Sequence, residues 1–247
     1  MNKRFGLAVA AVLALGAGGA QAAPLLVDFN DRGAAAATQS GWNSFVFSGG
    51  TNDGVTTSTA RTYGDIDVTV SRVGTGSHTL LDRDRGSTNP PAAGTFTQTN
   101  LMRDYINADN TTAGLGLQIL IEGLEPNATY SGRIWSYDDG HYNLNTSANF
   151  KADWSVNGTQ FANDISLSGP RPTANLDYSY GFTAIADGTG SIVIQGVRDA
   201  ASVGNSVLIN GFELDFVSSP VPEPTSVGLL GLGALRLLAR RRSTRTA

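Results

Sequence analysis

The sequence predicts an all-β protein built as a single antiparallel β-sandwich. In run after run, apolar and polar residues alternate with the two-residue period of a half-buried strand. Between the two ends of the chain, no long segment sustains the 3.6-residue period of a helix. The 247 residues include no cysteine, so a hydrophobic core, and not disulfide bonds, has to hold the fold together.

The strand-like runs are spread along the whole central part of the chain. In the clearest one, residues 150–156, Phe150, Ala152, Trp154 and Val156 alternate with polar residues. Six further runs lie at residues 25–29, 66–71, 117–122, 178–184, 191–197 and 212–216. Clusters of Gly, Asn and Asp separate them, at residues 49–54, 157–158, 187–188 and 204–205. Short strands divided by such turns are typical of a sandwich.

Three segments depart from the strand pattern. Residues 100–108 are predicted to form one short helix, because Leu101 and Tyr105 would share a helical face behind a capping asparagine. Residues 32–40 and 83–99 are predicted to be loops, since the first carries four consecutive alanines among polar residues and the second a pair of prolines.

Two short segments resemble a known group of sandwiches. Residues 123–130 join an apolar strand to an aromatic one and place Tyr130 to bond back to the backbone, as in a tyrosine corner. This octet resembles the turn of fibronectin-III-like and galactose-binding-like sandwiches. Residues 207–214 resemble the last strand of galactose-binding-like jelly rolls such as the malectin type. The resemblance implies a jelly-roll-like sandwich and a binding rather than a catalytic heritage.

The N-terminus is typical of a secretory signal peptide. Residues 1–22 contain two basic residues, an apolar stretch too short for a stable span, and a small-residue cleavage motif. The motif is formed by Ala20 and Ala22, so the mature chain is predicted to begin at Ala23.

The last 27 residues fall into a proline-rich tetrad, an apolar run and an arginine cluster. The tetrad and the cluster consist of Val221, Pro222, Glu223, Pro224, Arg240, Arg241 and Arg242. This order at a C-terminus resembles the PEP-CTERM sorting signal of Gram-negative bacteria. The resemblance implies export, transient membrane insertion and cleavage near the Pro-Glu-Pro by an exosortase-type membrane protease. It also implies a setting of exopolysaccharide and biofilm production.

The apolar run is a weak membrane anchor. As a helix it would span about 22 Å, against a hydrocarbon core of roughly 30 Å, and Arg236 interrupts it. A short anchor suits a signal that is removed; the alternative is a basic amphipathic tail that is not processed. The predicted parts are a signal peptide at residues 1–22, a β-sandwich ectodomain at 23–217, a linker at 218–224, a hydrophobic anchor at 225–239 and a basic cytoplasmic tail at 240–247.

The charge of the exported part limits its partners. Residues 23–219 carry 10 basic and 20 acidic side chains, a formal charge of −10. Such a domain repels nucleic acid and anionic lipid head groups. The PEP-CTERM resemblance implies a final location at the cell surface or in the extracellular matrix, with the exosortase as a partner and a polysaccharide as a further candidate partner.

One loop concentrates the residue types that bind sugars. It follows a predicted strand and holds Trp135, Tyr137, Asp138, Asp139, His141, Tyr142 and Asn143. Aromatic faces stack on sugar rings, while carboxylates and amides bond to hydroxyls. In the alternative interpretation, Trp135 and Tyr137 belong to the core and the aspartates form a turn before Gly140.

No cofactor is predicted. Oxygen ligands for Ca²⁺ stand close together at Asp82 and Asp84, and again at Asn107, Asp109 and Asn110, but neither group completes the calcium-loop pattern. With two histidines and no cysteine, a zinc site is disfavoured.

The sequence contains no visible catalytic constellation. It lacks a Gly-x-Ser-x-Gly motif, and among the 20 acidic residues of the exported part some carboxylate pair will meet the spacing of a glycosidase by chance. We therefore expect a non-catalytic interaction protein of the envelope or exopolysaccharide matrix. The alternative is a secreted hydrolase of polysaccharides or esters, which would show two carboxylates, or a serine with a histidine, converging in a cleft.

Overall fold

A computed structural model describes residues 23–30, 38–47, 57–76, 78–85, 92–109, 111–138 and 150–220. The predicted signal peptide at residues 1–22 and the sorting signal at 221–247 lie outside the described residues. Within them, no helix is long and apolar enough to cross a membrane. The regular elements described are all strands.

Fourteen strands follow one another along the described chain. They are β1 (Leu25–Asn30), β2 (Asn43–Val46), β3 (Ser58–Tyr63), β4 (Ile66–Val73), β5 (Thr79–Asp84), β6 (Asp104–Asp109), β7 (Gly116–Glu122), β8 (Thr129–Trp135), β9 (Lys151–Val156), β10 (Thr159–Ser166), β11 (Ser179–Ile185), β12 (Ile192–Arg198), β13 (Val207–Ile209) and β14 (Gly211–Ser218).

The strands form three sheets. A five-stranded sheet has the order β11-β8-β14-β1-β2, a six-stranded sheet the order β10-β9-β12-β7-β4-β3, and a three-stranded sheet the order β13-β6-β5. Every pairing is antiparallel except that between β1 and β2. The predicted all-β sandwich is confirmed, and each of the seven predicted runs overlaps a strand.

One continuous core joins the three sheets. Phe212 of the five-stranded sheet, Ile119 of the six-stranded sheet and Ile106 of the three-stranded sheet are all fully buried in it. The ring of Trp154 lies over Gly196, where a Cβ would stand 2.7 Å from the ring. Glycine is therefore required at that position of β12.

A second, smaller core lies on the outer face of the five-stranded sheet. Ile134 of β8 faces the main core, so its neighbour Trp135 faces the other way. There Trp135 packs with Phe96, Leu101, Met102 and Tyr137. Its indole Nε1 donates a hydrogen bond to the carbonyl of Asn175 at 2.9 Å. The cluster covers one half of this outer face.

The predicted tyrosine corner is confirmed. The hydroxyl oxygen of Tyr130 accepts a hydrogen bond from the backbone N–H of Glu125 at 3.0 Å. The Asn-Gly turn at residues 157–158 is also present, with φ of 47° at Asn157 and 77° at Gly158. These positive values are typical of the tight turn that joins two antiparallel strands, here β9 and β10.

Two local predictions were wrong. Residues 104–108 are not helical but belong to β6, and Leu101 and Tyr105 lie in turn and strand respectively. The reason is tertiary: β6 pairs with both β5 and β13 and is buried on both faces, which hides the two-residue period. In the predicted loop at 83–99, the first two residues continue β5.

Candidate ligand-binding site

A cavity of about 160 Å³ lies over the outer face of the three-stranded sheet. Its floor is a row of three residues across the sheet, Leu81, Asn107 and Leu208. They form a row because Leu81 and Leu208 are the register partners of Asn107 on the two neighbouring strands. Asp138 and Phe150 also line it. These two residues flank the undescribed residues 139–149, so the predicted binding loop leaves and rejoins the described chain at this cavity.

The central polar group of the floor is the side-chain amide of Asn107. The residue is 7% exposed, and it lines the cavity. Its strand neighbours Ile106 and Ala108 face the main core, which turns Asn107 outward between the two leucines. A primary amide offers two donors and an acceptor, and leaving it unpaired in apolar surroundings is costly.

One wall of the cavity is a closed network of Arg85, Tyr105 and Asp138. The Nε atom of Arg85 donates to Oδ1 of Asp138 at 2.6 Å, and its Nη2 donates to Oδ2. The hydroxyl of Tyr105 donates to the same Oδ2 at 2.9 Å. The Asp138 side chain is 1% exposed and that of Arg85 17%. Both Asp138 oxygens are therefore held by protein donors.

The pKa shifts of Arg85 and Tyr105 are consistent with a charged arginine and a neutral tyrosine in this wall. Burial lowers the pKa of Arg85, but the hydrogen bonds that Arg85 donates to Asp138, together with the neighbouring Tyr105, outweigh it, so the net pKa is raised. Burial, with the charge of Asp138, raises the pKa of Tyr105. At neutral pH Arg85 is a cation and Tyr105 a neutral donor, which keeps this wall rigid.

The opposite wall and the mouth offer further polar groups. Ser206 donates its hydroxyl to Oδ1 of Asp109 at 2.6 Å, and Asn205 lies beside them. At the mouth, Arg83 stands in register with Tyr105, and its exposed guanidinium has no hydrogen bond to a described residue. Amide, guanidinium and carboxylate together match the donors and acceptors of a ligand with several hydroxyl groups.

The structure separates the residues of the predicted loop. Asp138 reaches the cavity, whereas Trp135 and Tyr137 are 1% and 0% exposed and belong to the second core. Tyr137 packs on Tyr178 with ring centroids 4.3 Å apart, so these two rings contact protein, as the core interpretation expects. The other four residues, Asp139, His141, Tyr142 and Asn143, lie outside the described residues, and a role for them in binding stays a prediction.

Sequence reasoning missed the main feature of the cavity. It singled out Asn107 and Asp109 only as calcium ligands, and it gave no role to Arg85, Tyr105 or Leu208. The signal that could have found Asn107 is a lone amide inside the apolar stretch of residues 105–108.

Of the residues considered for calcium, Asn110 lies outside the described residues, and Asp84 is already paired with Arg103. Both carboxylate oxygens of Asp84 accept hydrogen bonds from Arg103, at 2.7 and 2.6 Å. A different group, Asp153, Asp164 and Asp199, has carboxylate oxygens within 4.8 Å of one another and could hold a metal ion. Asp164 is exposed, and Lys151 lies 3.7 Å from it, so the group is also explained as a solvated acidic cluster.

Two other carboxyl groups are buried with unpaired oxygens. Asp28 and Asp104 are 0% exposed. Among the described residues, Oδ1 of Asp28 and both carboxyl oxygens of Asp104 have no hydrogen-bond partner of good geometry, although the Asp84 side chain lies close enough to Asp104 to affect its pKa. The Nε atom of Arg103 is 3.5 Å from Asp104, an ion-pair distance. Burial raises the pKa of Asp28 to about 7 and, together with Asp84, that of Asp104 to about 9. Near neutral pH the protonated form of Asp104 is therefore favoured, whereas Asp28 is about half protonated.

Comparison with known proteins leaves the family open. No family model matches the chain, and no curated protein matches it. One similar solved structure is that of the plant peptide RALF23 in complex with FER and LLG2, with 10% identity over 80% of this chain and 40% of that chain and a TM-score of 0.41. Another is the ANX2 ectodomain from Arabidopsis thaliana, with 12% identity over 81% of this chain and 52% of that chain and a TM-score of 0.44. A third is the enzymatically active domain of bacteriophage CBA120 tailspike protein 4, with 14% identity over 61% of this chain and 19% of that chain and a TM-score of 0.32. The chain spans between 19% and 52% of their lengths. At such TM-scores these likenesses support no conclusion about its function.

Proposed function

We propose that the domain is a non-catalytic module that binds a carbohydrate of the cell envelope or exopolysaccharide matrix in the Asn107 cavity. The observation that carries the proposal is the side-chain amide of Asn107, which is 7% exposed and lines the cavity between Leu81 and Leu208. An amide flanked by apolar side chains pairs naturally with a sugar, which presents hydroxyls at its edge and C–H groups on its faces. The exposed Arg83 at the mouth adds donors for further hydroxyls.

The geometry favours binding over the hydrolase alternative. Two carboxylates line the cavity, Asp109 and Asp138, but Asp138 is tied to Arg85 and Tyr105 through both oxygens. A carboxylate locked in a bidentate ion pair is a poor general acid, because protonation would break that pair. His78, the histidine among the described residues, is buried, and it does not line the cavity.

A binding experiment tests this proposal directly. The full chain is titrated by isothermal calorimetry with galactose, glucose, maltohexaose, cellohexaose and the exopolysaccharide of the producing bacterium, and the same samples are analysed for cleavage products. We expect saturable binding of at least one saccharide and no products. Absence of binding to all of them, or product formation that Asp109→Asn abolishes, would overturn the proposal.

The route of delivery is the second part of the proposal and rests on the sequence of the two ends. We propose that the precursor is exported, held briefly by residues 225–239 and cut near Pro224 by an exosortase. The intact mass of the product is measured in a host with the protease and in the same host without it. A chain that ends near Pro224 only when the protease is present supports the proposal; a chain that keeps Arg240 in both hosts contradicts it.

A further inference from the structure

The outer face of the five-stranded sheet is divided into a covered and an uncovered half. Trp135 and the rest of the second core cover the half nearest the end of β8. Along the other half, Gly181, Arg133 and Glu213 form one row across β11, β8 and β14. Thr183, Ser131 and Asp215 form the next row. These residues line an open groove of about 490 Å³.

The uncovered half continues to the C-terminal ends of β11 and β14. Beyond the two rows, Ile185 of β11 is 59% exposed and Val217 of β14 is 55% exposed. No described segment therefore packs on this part of the face. The groove is about three times the volume of the Asn107 cavity, so it has room for several linked units of a ligand where the cavity holds one small group.

The backbone conformation and the packing of β11 do not require a glycine at position 181, which lies in the groove. The φ of Gly181 is not in the positive region, and the register between β11 and β8 is unbroken around it. A Cβ on Gly181 would meet nothing closer than 3.6 Å, at the guanidinium of Arg133. Glycine weakens a strand interior, and it often marks a bulge, a tight bend or a place where another molecule approaches the backbone closely. The unbroken register and the free Cβ position at Gly181 favour the last of these.

The side chains that line the groove indicate the class of ligand that it could bind. The backbone groups of β8 are already paired with β11 on one side and β14 on the other, so recognition falls to side chains. Asp215 has no hydrogen bond within the described residues, and Ser131 and Thr183 bring hydroxyls. Arg133 is shared between Glu213 at 3.3 Å and Ser179 at 3.0 Å. One cation among two carboxylates and several hydroxyls suits a neutral, hydroxyl-rich ligand and disfavours a polyanion.

We infer that this groove is a second carbohydrate-binding surface, which takes an extended neutral polysaccharide strand across β11, β8 and β14 with Gly181 as its floor. The inference rests on the proposed function for the class of ligand, but it uses different residues from the Asn107 cavity. The two sites can therefore fail separately.

Gly181→Val tests the groove without weakening the fold. Valine favours strands and has space at this position, so the thermal midpoint should be unchanged or higher. Its side chain fills the floor, and we expect the affinity for cellohexaose or maltohexaose, whichever the wild-type chain binds, to fall at least about tenfold, a loss typical of blocking a contact. Monosaccharide binding in the cavity should not change. Thr69→Val, on the six-stranded sheet, is the matched control.

Each pattern of results decides between the sites. If Gly181→Val binds the hexasaccharide like the wild-type chain, the groove inference is overturned, whatever Asn107→Leu does. If Gly181→Val weakens binding and Asn107→Leu does not, the groove stands and the cavity proposal fails. If Gly181→Val instead abolishes self-association seen by sedimentation, with saccharide binding intact, the face is a contact between copies and the inference is also overturned.

Discussion

Arg85 and Asp138, 53 positions apart in the chain, form a two-point ion pair in which Nε of Arg85 lies 2.6 Å from Oδ1 of Asp138. Tyr105 completes it by donating to Oδ2 at 2.9 Å. The wall of the Asn107 cavity thus depends on a contact between distant parts of the sequence.

Asp138→Asn should lower the free energy of unfolding by about 3 kcal/mol, because it leaves the partly buried charge of Arg85 without its partner. The double variant Arg85→Met with Asp138→Leu should lose less, since it removes both charges and keeps the volume apolar. Urea denaturation of the full chain measures both. An equal or larger loss in the double variant would show that the network matters through its shape and not through its charges.

Tyr130→Phe should cost about 1 kcal/mol of stability, because the N–H of Glu125 loses its acceptor at the corner between β7 and β8. Tyr180→Phe is the matched control: Tyr180 is also half-buried or more among apolar neighbours, and its hydroxyl has no hydrogen bond to a described residue. Thermal unfolding compares the two. Similar thermal midpoints for the two variants would show that the hydrogen bond of Tyr130 does not contribute measurably to stability.

Stability should decline as the pH rises from about 4 to about 9. Asp28 and Asp104 have folded pKa values of about 7 and about 9, above the value of about 4 in an unfolded chain, so the folded state binds the more protons. Their contribution is full below about pH 4 and is lost as the pH rises through the folded values, by up to about 1.4 kcal/mol per pH unit and group.

The measurement for this prediction is the thermal midpoint between about pH 5 and pH 9. The wild-type midpoint should fall over this range, and in Asp104→Asn the fall above pH 7 should be much smaller, because asparagine does not titrate. A wild-type midpoint that stays constant or rises over the range would mean that these carboxyls are ionised and paired in solution.

The parts of the fold that were predictable are those set by local pattern. Phe150 to Val156 alternate because one face of β9 packs on the core, and the Asn-Gly turn that follows needs only two residues. The tyrosine corner was equally accessible, because Tyr130 and Glu125 are five positions apart. Such contacts depend on neighbouring residues, which a single sequence displays.

The three-stranded sheet and the cavity on it were not predictable in this way. β6 is buried on both faces between β5 and β13, so its sequence shows no alternation of apolar and polar residues. Its pairing with residues about 100 positions later depends on the tertiary structure. The same pairing turns Asn107 outward between two leucines from distant strands. Trp135 was misleading for a related reason: a segment from far along the chain, at residues 96–102, covers it.

The measurement that tests the central claim most directly is saccharide binding by Asn107→Leu beside its stability. Leucine removes the amide and adds apolar surface between Leu81 and Leu208, so stability should be unchanged or higher. Affinity for the saccharide that the wild-type chain binds should fall about tenfold or more, the loss of one to two buried hydrogen bonds. Asn163→Leu, at an exposed amide of β10, should leave binding unchanged. Wild-type affinity in Asn107→Leu would contradict the account.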